Sequence, residues 1–381
     1  MGYVSRRLFL AFMLITMGAS FWAGVTGLGS AAIKSLLLIP EIVPAIPIHP
    51  QGWFVEEPTY EQVNFYVGDI ETSADLYTPK SPGRHPAVVL FLGVIPAGRD
   101  DPRVVNLARG LARSNIVVLI PWSDMMTSSY RLDFKAVNQL VHAFEYLDSH
   151  PAVNPEKIGM SGFCVGASFA ALAAQDERIQ NRVAYVNLFG GYYDAKSLLV
   201  NIASNTRSYN NVVEQWLPRD DARMVFMVHL IEGLSVVNDR EQLARVFIEG
   251  GSIEDIDLKS LSDQGRLAYK LLTGVTREEA EALLHALPQG FLDDLATISP
   301  STHIGNLKAP VLIMHDREDT AIPITESRAM VEALQDTNRL YYTEFAMFEH
   351  MDPTRNVSPP TMVKEMVKLF RHTFHIIQLS S

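Results

Sequence analysis

The sequence contains a single cysteine, Cys164, and the residues around it indicate a reactive sulfur. It lies in Gly162–Phe163–Cys164–Val165–Gly166, between a strand-like apolar run and a run of small, helix-forming residues. A nucleophile at a tight strand-to-helix turn needs glycine two positions before and after it, because larger side chains would collide there. The helix N-terminus would also favour a thiolate and an oxyanion. The spacing therefore predicts a nucleophilic cysteine; the alternative is a small buried cysteine beside glycines that only permit close packing.

A serine three positions earlier is the rival nucleophile. Ser161 lies in Gly159–Met160–Ser161–Gly162–Phe163, which lacks the second glycine of the turn. This position places the serine within the preceding strand rather than at its end. We therefore expect Ser161 to have no nucleophilic role.

Nucleophilic catalysis also requires a base and a group that orients the base. Several acids follow the apolar run 309–314, in a loop at the sheet edge where ligands bind in open α/β folds. We predict that Asp319 is the orienting acid and that His350, after the next strand, is the base. Asp316 is the rival acid, and His315 adjoins the strand end as a structural group. The alternatives are a turn aspartate for Asp319 and a surface histidine for His350.

The elements that must position these residues follow an α/β rhythm. An antiparallel pair of strands is expected first, and short apolar runs then alternate with helical stretches, which predicts a doubly wound, mostly parallel sheet. The rhythm stops within residues 195–306, where a capping box of Thr276 and Glu279 is one of several helical signals. We therefore expect a core of residues 60–194 and 307–381, interrupted by an inserted helical cap at 195–306.

The N-terminus carries a long apolar run. Residues Leu8 to Ile33 contain no charge and no proline, and they follow Arg6 and Arg7. Such a helix would exceed the roughly 30 Å of a bilayer core. Residues 1–34 are thus expected to form a hydrophobic helix and membrane anchor, with the catalytic domain outside the cytoplasm. A cleaved secretory signal, a twin-arginine address and a soluble helix are the alternatives, and residues 35–59 are expected to be a proline-rich apolar linker.

Composition excludes several classes of protein. The 381 residues are 48% hydrophobic and 20% charged, which excludes a disordered chain. A net charge of -11 argues against a nucleic-acid partner, because phosphate binding depends on clustered lysine and arginine. One cysteine cannot form an intramolecular disulfide or a cysteine-rich metal site. We expect neither a metal nor an organic cofactor.

From about residue 60 to 377 the chain resembles an α/β-hydrolase, and its cysteine turn is similar to that of the dienelactone hydrolase family. The resemblance implies a nucleophile at the turn, an acid after the seventh strand and a histidine after the eighth, which Cys164, Asp319 and His350 match. It also implies an oxyanion hole formed by the backbone N–H groups of Val165 and Val94. The cap and the apolar N-terminus depart from the small dienelactone hydrolases.

The expected function is hydrolysis of an ester, thioester or lactone bond through an acyl-enzyme on Cys164, with a small and apolar acyl substrate. Two other functions fit the same residues. A catalytically silent scaffold could bind a lipid or protein partner through its cap, and an acyltransferase would share the triad but use another acceptor. The oligomeric state is left open.

Overall fold

The computed structural model describes residues 27–43, 46, 48–94, 97–337 and 339–380. An eight-stranded sheet lies at its centre, with the strand order β1-β2-β4-β3-β5-β6-β9-β10. Strand β2 is antiparallel to both β1 and β4, and the other neighbours are parallel. The ten strands are β1 Thr59–Val67, β2 Ile70–Thr78, β3 His85–Phe91, β4 Val117–Pro121, β5 Val153–Phe163, β6 Val186–Phe189, β7 Thr206–Tyr209, β8 Val212–Gln215, β9 Val311–Asp316 and β10 Leu340–Phe345. The expected doubly wound, mostly parallel sheet is confirmed.

Helices cover both faces of this sheet. They are α1 Gly27–Ile42, α2 Pro102–Arg113, α3 Asp124–Ser128, α4 Ala136–Ser149, α5 Val165–Ala173, α6 Ala195–Ser204, α7 Asp220–Glu232, α8 Val237–Phe247, α9 Asp263–Thr273, α10 Arg277–Leu284, α11 Gln289–Thr297, α12 Ile324–Leu334 and α13 Pro359–Ser380. Short 3-10 turns lie at Pro50–Trp53, Ile253–Asp255, Pro300–Asn306 and Gln335–Thr337.

Strand β4, Val117–Pro121, is apolar along its whole length because helices cover both faces of the sheet there. All five residues of β4 are buried. Val89 and Leu119 pack into the cluster that contains α4 and α5, whereas Val88 and Val118 pack into the cluster with α1 and α2. Successive side chains of a strand point to opposite faces, so one continuous apolar run supplies both cores.

The segment between β6 and β9 carries six helices and one hairpin, β7–β8. We expected helical structure throughout this segment, so the hairpin is a difference. Its turn residues Asn210 and Asn211 both have positive φ, 49° and 61°. Asparagine tolerates this left-handed backbone, which two-residue hairpin turns require. The boundaries of core and cap stay a prediction.

Helix α1 lies where we expected the end of an anchor and the start of a linker. It continues through Pro40 to Ile42 and buries Ala31, Leu38 and Ile39. It packs against α2 and α13. The linker expected at residues 35–59 therefore begins as a helix, because the protein core offers an apolar surface to these residues.

The predictions of a transmembrane segment and of a single-pass protein are wrong for the described chain. None of the helices found there is long and apolar enough to cross a bilayer. Residues 8–26 of the expected hydrophobic helix lie outside the described residues. The N-terminal helix of residues 1–34 is accordingly not confirmed.

Candidate active site

Cys164 occupies the turn between β5 and α5. Its backbone has φ 56° and ψ -135°, a conformation that residues with side chains rarely adopt. The two flanking glycines are required by close backbone packing. A Cβ at Gly162 would lie 2.2 Å from the backbone oxygen of Gly166, and one at Gly166 would lie 2.4 Å from the oxygen of Phe91. The turn thus holds the cysteine at the N-terminus of α5, half-buried, on the wall of a cavity.

His350 follows the last strand of the sheet and lies beside both other members of the predicted triad. Its Nδ1 is 2.7 Å from Asp319 Oδ2, to which it donates a hydrogen bond. Its ring also lies next to Cys164, which acts to raise its pKa. The structure therefore brings Cys164, His350 and Asp319 together from three different loops.

The charge state of His350 follows from these neighbours. Burial acts to lower its pKa, but the charges of Asp319 and Cys164 and the hydrogen bonds to both hold that pKa well above its usual value. The imidazolium form of His350 is consequently stabilised.

Asp319 is fully buried, yet it is ionised. Burial alone would raise its pKa, but His350 and His315 beside it hold the pKa well below its usual range. Its Oδ1 accepts hydrogen bonds from the backbone N–H groups of Ala321 at 2.7 Å and Ile322 at 3.1 Å. These donors lock the carboxylate in the orientation that faces His350.

Asp316, the rival acid, points elsewhere. Its Oδ1 accepts from the N–H of Glu318 at 2.9 Å and from Arg355 Nη1 at 2.8 Å, and its Oδ2 accepts from the N–H of Phe348 at 2.9 Å. Burial raises its pKa. Both of its oxygens are thus engaged in joining the loop after β9 to the loop that carries His350.

The remaining candidates take structural positions. Ser161 lies within β5, where its hydroxyl accepts a hydrogen bond from Asn187 Nδ2 at 3.1 Å. It lines a different cavity from Cys164. His315 is fully buried, with Nδ1 2.6 Å from Ser327 Oγ and Nε2 2.9 Å from the backbone oxygen of Ile322. It braces the loop that carries Asp319.

The two residues expected to form an oxyanion hole, Val94 and Val165, both line the cavity beside Cys164. Val165 is the first residue of α5, where helical N–H groups have no partner within the helix. Val94 follows Gly93, which has a φ of 74°. A Cβ at Gly93 would lie 2.7 Å from the backbone nitrogen of Gly166, so this residue lies against the N-terminus of α5. Their role stays a prediction.

The cavity above Cys164 has a volume of about 250 Å³ and is mostly apolar. Its roof comes from helices α6, α7 and α11, which lie between β6 and β9 in the chain. The apolar residues that these helices contribute are Leu198, Leu199, Ile202, Val225, Phe226, Phe291 and Leu295.

Sequence reasoning missed His229, which lies on α7 and lines the same cavity. Its Nε2 accepts a hydrogen bond from the backbone N–H of Leu132 at 2.6 Å. Burial lowers the pKa of His229 to about 4, so the ring is neutral near pH 7. An ion pair of Arg131 with Glu232 lies beside this contact. The hydrogen bond and the ion pair together hold α7 against the loop before α4. No local sequence motif predicts either contact.

Within the part of the chain that the structure describes, no group of three or more histidine, cysteine or acidic residues is arranged to hold a metal ion.

Comparison with known proteins gives two sequence matches. Residues 122–206 match the model of the dienelactone hydrolase family. A probable 2-oxo-3-(5-oxofuran-2-ylidene)propanoate lactonase from Bradyrhizobium sp is 30% identical over 130 residues, which cover 30% of this chain and 51% of that protein. The chain therefore spans about half the length of this curated relative.

Two solved structures are similar over most of the chain. An acylaminoacyl peptidase from Pyrococcus horikoshii is 16% identical, with a TM-score of 0.48 and coverage of 88% of this chain and 44% of that one. A 2,6-dihydroxy-pseudo-oxynicotine hydrolase is 14% identical, with a TM-score of 0.45 and coverage of 83% and 68%. No activity is inferred from these likenesses. The chain thus has the α/β-hydrolase fold, and its residues 122–206 are similar to the dienelactone hydrolase family.

Proposed function

We propose that this protein is a hydrolase that cleaves an ester, thioester or lactone bond with Cys164 as its nucleophile. The single observation that carries the proposal is the position of His350, which is hydrogen-bonded to Asp319 on one side and lies next to Cys164 on the other. A buried histidine between a carboxylate and a thiol is the arrangement that activates a nucleophile.

The reaction proceeds in two halves. The sulfur of Cys164 attacks the carbonyl carbon, and the backbone N–H groups of Val94 and Val165 stabilise the oxyanion. His350, protonated at Nε2, gives its proton to the departing alcohol or thiol, which leaves an acyl group on the sulfur. In the second half His350 takes a proton from water, the resulting hydroxide attacks the thioester carbonyl, and the acid is released. Asp319 orients the ring and stabilises the imidazolium whenever His350 is protonated.

The substrate class follows from the cavity. Its volume of about 250 Å³ and its apolar roof fit a small apolar acyl group. Lactones are included because the matched relative is a probable lactonase and because the family model is that of the dienelactone hydrolases. A lactone would remain attached to the sulfur after ring opening, with its new hydroxyl still in the pocket.

The test compares purified wild type with Cys164→Ala on p-nitrophenyl esters, thioesters and lactones of graded chain length. Ser161→Ala is the matched control, since it removes the neighbouring hydroxyl from the same strand. We expect hydrolysis that is abolished by Cys164→Ala and retained by Ser161→Ala. An inactive wild type on every substrate would favour a silent scaffold, and a fully active Cys164→Ala would remove the sulfur from the mechanism.

A further inference from the structure

The turn that carries His350 is tight and holds this residue in an unusual backbone conformation. His350 is the second residue of the turn 349–352, which we call the His350 turn, and its φ is 58°. The N–H of Glu349 donates to the backbone oxygen of Asp352 at 2.7 Å, and the N–H of Asp352 donates back to Glu349 at 3.1 Å. A left-handed backbone at a residue with a side chain costs free energy and persists only where the surroundings enforce it. The position of the base therefore depends on what holds this turn.

The side chain of Asp352 joins the His350 turn to a distant part of the chain. Both of its carboxylate oxygens accept from Nη1 of Arg103 at 2.7 Å, across 249 positions of sequence. The other side of the guanidinium binds the carboxylate of Asp101, through Nε at 3.0 Å and Nη2 at 2.5 Å. Asp101 is buried and is the N-cap of α2. One arginine thus connects the end of the His350 turn to the start of α2.

This connection restrains a position more than it stabilises the fold. The side chains of Arg103 and Asp352 are 52% and 37% exposed, and an exposed ion pair contributes little to stability. The guanidinium is nevertheless anchored, because Asp101 is itself fixed by the backbone N–H of Arg103 at 2.9 Å. Hydrogen bonds to both acids hold the pKa of Arg103 above its usual value. The arginine is therefore charged and presents Nη1 to Asp352 in a defined direction.

The pair lies close enough to the active site to affect it. Arg103 and Asp352 both line the cavity beside Cys164, and Asp352 is two residues from the base. A second arginine, Arg355, holds the chain after the turn, since its Nη1 donates to Asp316 Oδ1 at 2.8 Å at the end of β9. The loop that carries His350 is thus attached to β9 through one arginine and to α2 through the other.

We propose that Arg103 is a positioning residue, which holds Asp352 and thereby fixes the turn that places His350 beside Cys164. This role rests on the proposed function, since it assumes that His350 acts on the sulfur. Arg103 itself need not touch the substrate. Without the pair, the backbone bonds would still close the His350 turn, but the turn could shift relative to α2. A displacement of about 1 Å can lower a rate by about 10²-fold.

The experiment compares the full-length wild type with Arg103→Met, Asp352→Ala and the double variant. Both changes keep the N-cap of α2, because Asp101 accepts there from a backbone N–H. We expect each single variant to lower kcat on p-nitrophenyl butyrate by about tenfold, with KM within about twofold. The double variant should lose no more than the single variants, because the two side chains act through one contact.

Two further variants serve as controls. Arg103→Lys keeps the charge but cannot donate to both acids in the same way, so its kcat should lie between those of the wild type and Arg103→Met. Asp148→Ala breaks an ion pair with Arg182 of similar length, 2.6 Å, and should leave kcat within about twofold. Thermal unfolding checks that each variant is folded, and Arg103→Lys takes the place of Arg103→Met if the latter is not.

A second measurement does not depend on turnover. Cys164 is the only cysteine of the sequence, so mass spectrometry follows its alkylation by iodoacetamide without ambiguity. A charged imidazole beside a thiol favours the thiolate, which is the form that reacts, so Arg103→Met should slow alkylation at pH 7 by about threefold or more. Asp148→Ala should not slow it.

The two measurements separate this proposal from the proposed function. A wild type without esterase activity would contradict the proposed function, and the alkylation rates would still report the position of His350. The role of Arg103 is overturned if alkylation is as fast in Arg103→Met as in the wild type. It is also overturned if KM rises while kcat is unchanged, or if the losses of the two single variants multiply in the double variant.

Discussion

Replacement of Asp319 by asparagine should remove most of the activity while leaving the fold intact. The amide oxygen of Asn at this position can still accept the N–H groups of Ala321 and Ile322, which now lie 2.7 and 3.1 Å from Oδ1. The amide NH₂ would then face His350 Nδ1 in place of the carboxylate oxygen at 2.7 Å. The ring would have to accept there and carry its proton on Nε2, which is the wrong tautomer for a base.

The size of the effect follows from the role of the carboxylate. The same substitution in a serine-protease triad lowers kcat by about 10⁴-fold, which corresponds to about 5.5 kcal/mol at roughly 1.36 kcal/mol per factor of ten. Asp319 is fully buried and lies 2.7 Å from Nδ1 of its histidine, so we expect a loss of the same order. Loss of its charge should also lower the pKa of His350.

Asp316→Asn is the matched control, because both acids are fully buried and Asp316 ends the strand that leads into the loop of Asp319. An amide there would weaken the contacts to Arg355 and Phe348, which should cost about 1–3 kcal/mol of stability. The change in kcat should be much smaller than for Asp319→Asn. Steady-state kinetics of both variants on one p-nitrophenyl ester, with thermal unfolding as the folding check, measure this ranking. A larger kcat loss for Asp316→Asn would refute the assignment of the acid.

Three further outcomes are expected. Cys164→Ser should lower kcat/KM by about 10²-fold or more, because a hydroxyl does not ionise beside His350 at neutral pH; an esterase as fast as the wild type would show that no thiolate is needed. Gly166→Ala should lower the free energy of unfolding by about 2–4 kcal/mol in chemical denaturation, since its Cβ would lie 2.4 Å from a backbone oxygen. Gly290→Ala on α11, which has open space around it, should not lower the free energy of unfolding. Equal effects of the two variants would contradict the packing argument. The pKa of His229 is depressed from 6.5 to about 4, so the stability contributed by its neutral ring is complete above about pH 6.5 and is lost as the pH falls toward 4. The hydrogen-exchange protection of α7, relative to the intrinsic exchange rate at each pH, should fall over this window and should not do so in His229→Gln.

Much of the fold could be predicted from local patterns. Apolar runs such as 117–121 and 311–314 have the length of strands, and their continuous apolar character predicts burial on both faces. The alternation of these runs with helical stretches predicts a parallel sheet. The requirement for glycine at positions 162 and 166 could also be predicted, because a side chain at either position would clash with the backbone. The strand pattern depends on near neighbours in the chain.

Other features depend on contacts that the sequence does not display. Asp316 and Asp319 are both aspartates and lie three positions apart in the chain. They differ in their partners: Asp316 accepts a hydrogen bond from the N–H of Phe348, whereas Asp319 accepts one from His350. His229 meets Leu132 only because α7 folds back over the loop before α4. The apolar sequence of α1 is compatible both with a lipid bilayer and with a groove on a protein. The structure shows the second, because this helix packs against α2 and α13.

The central claim, that catalysis passes through an acyl group on Cys164, is tested most directly by trapping that intermediate. The protein would be mixed with p-nitrophenyl butyrate, quenched in acid within milliseconds to seconds and analysed by intact mass spectrometry and peptide mapping. The account predicts one added butyryl group on the peptide that contains Cys164, lost again as turnover ends and absent in Cys164→Ala. Turnover without any adduct, or an adduct on Ser161 instead, would contradict it.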